Sequence, residues 1–380
     1  MTVAVRSFAK INLGLRIGPA RADGFHELLT VYQTIGLHDV IRVSVGRGRG
    51  IEIRCEDLRV PRDESNTCFR VAEKGMAALR AKGRVLIEID KRLPVQGGLG
   101  GASANAVATL LGLEGALRKT LPQGEKLRIA AEVGSDLPLF LIGGAVLGVG
   151  RGEQAYPLPD FPATACVVVT PEIGVSTPKA FAEWDRRQGL KPSSSDDADA
   201  ALKGRTSTVP LTTVPLTVSR SSDKTSASLR SAGQPKAAVS TRVDHKSSSK
   251  LTVSYPSDRM KELGYGLSAW LSGLYSSAPS DRMRRGGRAG NPLLALVRAG
   301  IENDFEQVVF PEYPELGEAK RALVRAGAKY ASLSGSGSTL YGLFASRQAA
   351  VSAVNRLRKA GWATQATSTL PRATYWRRVF

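Results

Sequence analysis

The sequence predicts an α+β protein of two domains, about 1–158 and 159–380, the second interrupted by a low-complexity insertion. Three observations predict it. A chain of 380 residues with 42% hydrophobic residues has the length and the apolar content for two cores. Strand-like and helical stretches alternate over residues 1 to about 185 and again from Asn291. Between roughly Arg186 and Gly290, Ser, Thr, Lys and Ala dominate, and the pentapeptide TVPLT occurs twice, at Thr208–Thr212 and Thr213–Thr217. Such a tract cannot bury enough apolar surface to offset chain entropy.

In chain order, VAVRSFAKINLGLRIG reads as a strand pair, and VIRVSVGRGRGIEIRCE as a hairpin with a Gly-rich turn. Phe69 to Ala81 has helical spacing, with Phe69, Ala72, Met76 and Leu79 on one face. Arg84 to Lys91 alternates as a strand with Val85, Ile87 and Ile89 on one side. A Gly-rich loop follows, then a helix from about Ser103, and Ala165 to Thr170 is an apolar strand. The insertion reads as disordered and basic at about 188–255, with a candidate helical segment at 256–290. In that segment Leu263, Leu267, Trp270, Leu271 and Leu274 make an amphipathic pattern, and PSDRM flanks it at Pro256–Met260 and Pro279–Met283. Long surface insertions cost little to close, so a tolerated loop is the plain reading and a regulatory or nucleic-acid-binding tail the sharper one. Beyond it, Leu293 to Ala299 is helical, Glu315 to Gly327 is a helix, and Tyr330 to Leu333 and Thr339 to Phe344 are strands. Gln348 to Ala360 is a helix with Val351, Val354 and Leu357 inward. The aromatic C-terminal tail, Ala373–Phe380, is compatible with packing or fraying.

The charge balance is 53 Lys+Arg against 34 Asp+Glu, a net of +19, which raises nucleic acid as a partner. Residues 186–290 hold 18 basic and 8 acidic residues, so +10 lies in the insertion and +9 elsewhere. Aromatic residues at 6% argue against a nucleic-acid surface with interleaved stacking side chains. No apolar window is long enough for a membrane span, and the N-terminus lacks a signal-peptide pattern, so the expected compartment is the cytoplasm. Cys55, Cys68 and Cys166 are too scattered for a disulfide framework, and His26, His38 and His245 have no metal-ligand spacing.

The strongest chemical signal is Pro94-Val95-Gln96-Gly97-Gly98-Leu99-Gly100-Gly101-Ala102-Ser103-Ala104-Asn105-Ala106, a Gly-rich turn between a strand and a helix. Glycines let backbone N–H groups converge on an anion, and the helix adds its positive end. It is no Walker loop, lacking the terminal Lys-Ser/Thr, and it fails the GxGxxG spacing. An ordinary tight turn is the alternative. A second Gly/Ser loop, Ser334-Gly335-Ser336-Gly337-Ser338, is either a hairpin loop or a second set of donors for the same phosphates. Lys10, inside the apolar FAKINLGL, either snorkels to water or has a purpose. Asp136, heading DLPLF, is either a helix N-cap or a functional carboxylate. In Arg21-Ala22-Asp23-Gly24-Phe25-His26-Glu27 the aromatic and the histidine could stack on and hydrogen-bond a base, or simply follow an Asp-Gly turn.

Together and in this order, AKINLGLRI with RADGFHEL, KRLPVQGGLGGASANA, GSDLPLFL with GGAVLGVGRGE, and NDFE with LSGSGSTLYGLF resemble the GHMP kinase superfamily. The resemblance covers about residues 5–185 and 290–345, and the RADG-aromatic-His element points to its branch acting on a cytidine diphosphate ester of methylerythritol. It implies a ribosomal-S5-like N-terminal domain, a ferredoxin-like C-terminal domain, and Mg-ATP as phosphoryl donor. It implies Lys10 and Asp136 as catalytic residues, with Asp136 accepting the hydroxyl proton. ATP phosphates would lie against Pro94, Gly97, Gly98, Leu99, Gly100, Gly101, Ala102, Ser103 and Ala104. Substrate would touch Asn12, Phe25, His26, Ser334, Gly335, Ser336 and Gly337, with no protein metal site assigned. Phe25 stands where the branch usually has Tyr, and Gln96, Ala102 and Ala104 depart from its GLGGGSS pattern. The alternatives are another GHMP kinase with a different alcohol, and a non-catalytic nucleic-acid-binding protein on the same scaffold.

Overall fold

The computed structural model describes residues 1–189, Met260, Lys261, Gly264, Leu267, 292–298 and 301–380. The TVPLT and PSDRM repeats and the disordered stretch expected at 188–255 lie outside the described residues, apart from Gln188, Gly189 and Met260. Of the helix expected from Lys261, the described Lys261, Gly264 and Leu267 are helical, and Leu267 is buried.

The first sheet begins with two long strands, β1 (Thr2–Ala20) and β2 (His26–Gly46), paired antiparallel. β3 (Ile51–Cys55), β4 (Arg84–Asp90), β5 (Ala145–Val149) and β6 (Gln154–Pro157) complete it in the order β3-β4-β2-β5-β6, with β1 on β2. The first segment is therefore one continuous strand rather than a strand pair. Residues 7–18 are buried on both faces, and the bulges at Phe8/Lys10, Asn12/Gly14 and Ile17/Ala20 bend the strand without ending it. β2 and β3 form no hairpin either. β4 inserts between them, antiparallel to β2 and parallel to β3. The crossover from β3 to β4 runs through α1 (Thr67–Ala78), as a parallel neighbour requires.

Helices α1 and α2 (Gly101–Leu117) cover one face of this sheet, and α3 (Gln123–Val133) packs against α1. The first core gathers Val5, Ile41, Val43, Ile87, Leu110, Leu113 and Ile129. On α1 the buried stripe is Cys68, Val71, Ala72 and Gly75, while Phe69 and Met76 are half-buried at its border. Ala72 and Leu79 of the expected face are buried, and the stripe widens toward Cys68, Val71 and Gly75, where small residues let α1 approach α2 closely: a Cβ on Gly75 would meet Leu110 at 3.0 Å.

The second sheet, in the order β10-β7-β9-β8, consists of β7 (Ala165–Val169), β8 (Tyr330–Leu333), β9 (Leu340–Phe344) and β10 (Thr364–Ser368). Short α4 (Leu137–Phe140) and then α5 (Thr177–Arg187) precede the insertion; α6 (Pro292–Arg298), α7 (Glu306–Glu312), α8 (Pro314–Arg325) and α9 (Arg347–Lys359) follow it. Val167 and Val169 face a core with Leu316, Leu323, Ala353 and Leu357, and Val168 faces the opposite way. On α9 the buried positions are Ala350, Ala353, Val354 and Leu357; Val351 is exposed, since the smaller alanines sit against the sheet. The chain ends in α10 (Arg372–Val379), whose Tyr375 and Val379 pack into the first core, so the tail of the expected second domain returns to the first sheet. β1 threads all three cores: Val5 and Phe8 in the first, Leu15 and Ile17 in the second, Ala9, Ile11 and Leu13 in a third shared with Val168 and Tyr341.

Candidate active site

Strand periodicity puts Lys10 and Asn12 on the face of β1 opposite Ala9, Ile11 and Leu13. The neighbouring bulges aim both polar side chains together, and Lys10 is only 3% exposed. Lys10 Nζ donates to Asn12 Oδ1 at 2.7 Å and lies 3.4 Å from Asp136 Oδ2. Asn12 Nδ2 donates to Thr30 Oγ1, whose hydroxyl donates to Gly14 O, so the pair is anchored into β2. Asp136 stands at the N-cap of α4 but makes no capping hydrogen bond. Its side chain is spent elsewhere: Oδ1 accepts from the Tyr32 hydroxyl at 3.0 Å and Oδ2 faces Lys10. Burial, then the nearby Asp136 carboxylate, push the Tyr32 hydroxyl well above its ordinary range, so it stays a donor at neutral pH. Gly152 leaves the room for it, since a Cβ there would lie 2.5 Å from the Tyr32 oxygen.

The two glycine loops meet over this pair. Thr339 N donates to Gly97 O at 3.1 Å, and Ser334 Oγ donates to Gly98 O at 2.9 Å. Lys10 N donates to Leu99 O, tying the first loop to β1. Gly98 and Gly100 have φ of +76° and +69°, and a Cβ on Gly98 would stand 2.1 Å from Ser334 O. A Cβ on Gly335 would sit 3.5 Å from both Lys10 Nζ and Asn12 Oδ1. The first N–H groups of α2 have no intrahelical acceptor, Gly100 caps them with no side chain, and Ala102 is exposed there.

The expected residues divide by what they can present. Gly97, Gly98, Gly100, Gly101, Ala102 and Ser103 line the loop and the helix start with their backbone, and Pro94 borders Gly97. The Leu99 side chain is buried, leaving only its backbone. Ala104 is a correction: its N–H bonds Gly100 O and its methyl lies in the first core, so neither group faces a ligand. Ser334 is fully buried and committed to Gly98 O, which makes it a link between loops rather than a contact surface. Ser336 Oγ lies 2.7 Å from Thr177 Oγ1, and Gly337 N donates to Ser334 O.

His26 and Phe25 gather a second cluster. His26 stacks on Phe181 at 4.8 Å with ring planes 9° apart, and its Nε2 lies 2.7 Å from Asp185 Oδ1. The Arg151 guanidinium lies 4.8 Å over the Phe25 ring. Phe181 and Asp185 were invisible to motif reading because only folding brings α5 to the start of β2. The NDFE motif has a bridging role in the structure. Asn303 Nδ2 donates to Leu333 O and Gly335 O, while Asp304 accepts from Arg16 and from Ile17 N on β1. The motif thus joins the second glycine loop to the strand that carries Lys10.

Comparison with known proteins identifies the family. Residues 66–144 match the GHMP kinases N terminal domain, and residues 290–362 match GHMP kinases C terminal. The chain belongs to the GHMP kinase family and is an ATP-dependent kinase. Among its relatives, 4-diphosphocytidyl-2-C-methyl-D-erythritol kinase of Solibacter usitatus is 34% identical over 353 residues, 93% of this chain and 84% of the relative. The enzyme of that name from Moorella thermoacetica is 30% identical over 96% of this chain and 98% of its own length. In fold, a solved 4-(cytidine 5'-diphospho)-2C-methyl-D-erythritol kinase superposes with a TM-score of 0.61 at 23% identity, covering 97% of this chain and 99% of that one. L. major mevalonate kinase does so at 0.59 and 13% identity, covering 98% and 97%.

Proposed function

We propose that the protein transfers the γ-phosphoryl group of ATP to the 2-hydroxyl of 4-diphosphocytidyl-2-C-methyl-D-erythritol, a step of the non-mevalonate isoprenoid pathway. The observation that carries the reading is the pairing of buried Lys10 with the partly exposed Asp136 carboxylate beneath two interlocked glycine loops. The names of relatives at 34% and 30% identity favour this alcohol.

In this reading Asp136 Oδ2 takes the proton of the substrate hydroxyl as its oxygen bonds to the γ-phosphorus. The bond from phosphorus to the β,γ-bridging oxygen breaks, and ADP leaves with that electron pair. Lys10 holds the hydroxyl and the carboxylate together and offsets charge on the phosphoryl oxygens, while Tyr32 occupies Oδ1 so that Oδ2 keeps one direction. Phosphoryl transfer asks a protein mostly for such positioning and electrostatics. Backbone N–H groups from Gly97 to Ser103 and the positive end of α2 receive the phosphates. ATP would bring magnesium on its triphosphate. Bound there, it supplies charge neutralisation.

At the base end, Phe25, His26 and Phe181 offer aromatic faces for cytosine. Nε2 of His26 is occupied by Asp185, which leaves Nδ1 for the base. The test is a coupled assay of ADP release with the cytidyl substrate. Asp136→Ala is expected to abolish turnover while ADP binding and melting temperature stay near wild type. Full turnover in that variant would remove Asp136 from the role of base.

A further inference from the structure

Asp39 on β2 is fully buried, and no step above uses it. Its Oδ1 accepts from Arg92 N at 2.6 Å and from Leu93 N at 2.7 Å. Its Oδ2 accepts from Lys91 Nζ at 2.7 Å and from Asn105 Nδ2 at 3.0 Å. Lys91 to Leu93 form the segment entering the first glycine loop, and Asn105 lies in the first turns of α2, which leaves it. One carboxylate therefore ties both feet of the loop to the middle of the sheet. Asn105 is itself fixed, because its Oδ1 accepts from Ser7 Oγ on β1 at 2.6 Å. The ammonium of Lys91 rests against the start of α2, 3.5 Å from where a Cβ on Gly101 would stand.

We infer that Asp39 is a positioning residue for nucleotide binding: it sets the spacing and tilt of the loop's two feet, and so the convergence of the N–H groups from Gly97 to Ser103. The inference rests on the reading that this loop receives the ATP phosphates. A carboxylate suits the position because all four neighbours donate and it only accepts. Asparagine has the same shape but turns one edge into a donor facing donors. The loop would relax away from it, and the loss would fall on the nucleotide rather than on the alcohol.

The experiment uses the full chain with ADP as probe, by calorimetry, together with KM values for ATP and for the cytidyl alcohol. For Asp39→Asn, Kd for ADP and KM for ATP are expected to rise ~10-fold or more, the loss of a hydrogen bond to a charged group. The KM for the alcohol should stay within about twofold, and kcat at saturating ATP within about threefold. Asn105→Ala removes one of the four ties and should give a smaller rise of the same kind. If Asp39→Asn fails to fold, Asn105→Ala decides. A lower melting temperature with unchanged ADP affinity in the folded variants, or equal changes in both KM values, would make Asp39 merely structural and overturn the inference. A wild type that binds no ADP would overturn the phosphate-loop reading itself, and the inference with it.

Discussion

Replacing Gly98 by alanine tests whether the two glycine loops work as one device. The added Cβ would stand 2.1 Å from Ser334 O, which is 1.3 Å short of the 3.4 Å at which ordinary contact begins. Its next neighbours are also backbone atoms, Gly337 O at 3.1 Å and Ser334 C at 3.2 Å, so no flexible side chain can yield. The residue would also sit at φ +76°, which costs an L-residue ~1–2 kcal/mol. Forcing atoms into a packed site costs about 1–3 kcal/mol more. The relief available is to part the loops, breaking the Ser334 Oγ–Gly98 O and Thr339 N–Gly97 O hydrogen bonds. The sum is ~2–5 kcal/mol, or a fall in melting temperature of roughly 3–9 °C. Gly361 is the control, with φ +86° and nothing within 4 Å of its added Cβ, so alanine there should cost only the torsional part. Thermal melting and KM for ATP are the assays. Gly98→Ala should lose more stability than Gly361→Ala and raise KM for ATP at least tenfold. Equal melting temperatures in the two variants, with unchanged KM for ATP, would refute the interlocked arrangement.

Two further outcomes follow from the same geometry. Tyr32→Phe removes the donor to Asp136 Oδ1 and nothing else, so kcat should fall about tenfold with KM for ATP unchanged, one hydrogen bond to a charged group being worth ~1.5 kcal/mol. An unchanged kcat would show that Lys10 alone orients the carboxylate. Alkaline stability should also decline early. Burial pushes the Cys68 thiol up from 9.0 to about 12 and raises Cys166, Tyr330, Tyr341 and Tyr375 above their ordinary values. Each is a neutral acid that the unfolded chain loses first. The unfolded state therefore binds fewer protons above pH ~9, and stability falls as pH rises from there. Urea titrations from pH 8 to 11 should show a falling midpoint, and a flat midpoint would contradict the burial of these groups.

Much of the site was legible because its chemistry breaks local rules. Lys10 interrupts an apolar strand, Asp136 heads an apolar segment, and Gly97–Gly101 is denser in glycine than a plain turn needs. What escaped depends on contacts between segments distant along the chain. The segment around Gly48 and Gly50 looks like a hairpin turn, and nothing local says that β4, arriving after α1, takes the place beside β2. Periodicity marks α1 and α9 as helices and finds part of each inward face, Ala72 and Leu79 on α1 and Val354 and Leu357 on α9. Residue size decided which face could approach a neighbour, and Gly75, Ala350 and Ala353 won over Met76 and Val351. Phe181 and Asp185 reach His26 only through folding, across 159 residues in the case of Asp185. The family resemblance puts Ala104 beside the phosphates, whereas helical geometry turns its methyl into the core. Asp39 gave no signal, as an acidic residue near a histidine in a strand looks like a solvated one.

The most direct measurement is ADP release by the purified protein with ATP and 4-diphosphocytidyl-2-C-methyl-D-erythritol, run beside homoserine and mevalonate. Turnover with the cytidyl alcohol alone, at least a hundredfold above the other two, is the predicted result. Comparable turnover with either of the others, or none with the cytidyl alcohol, would contradict the proposed substrate.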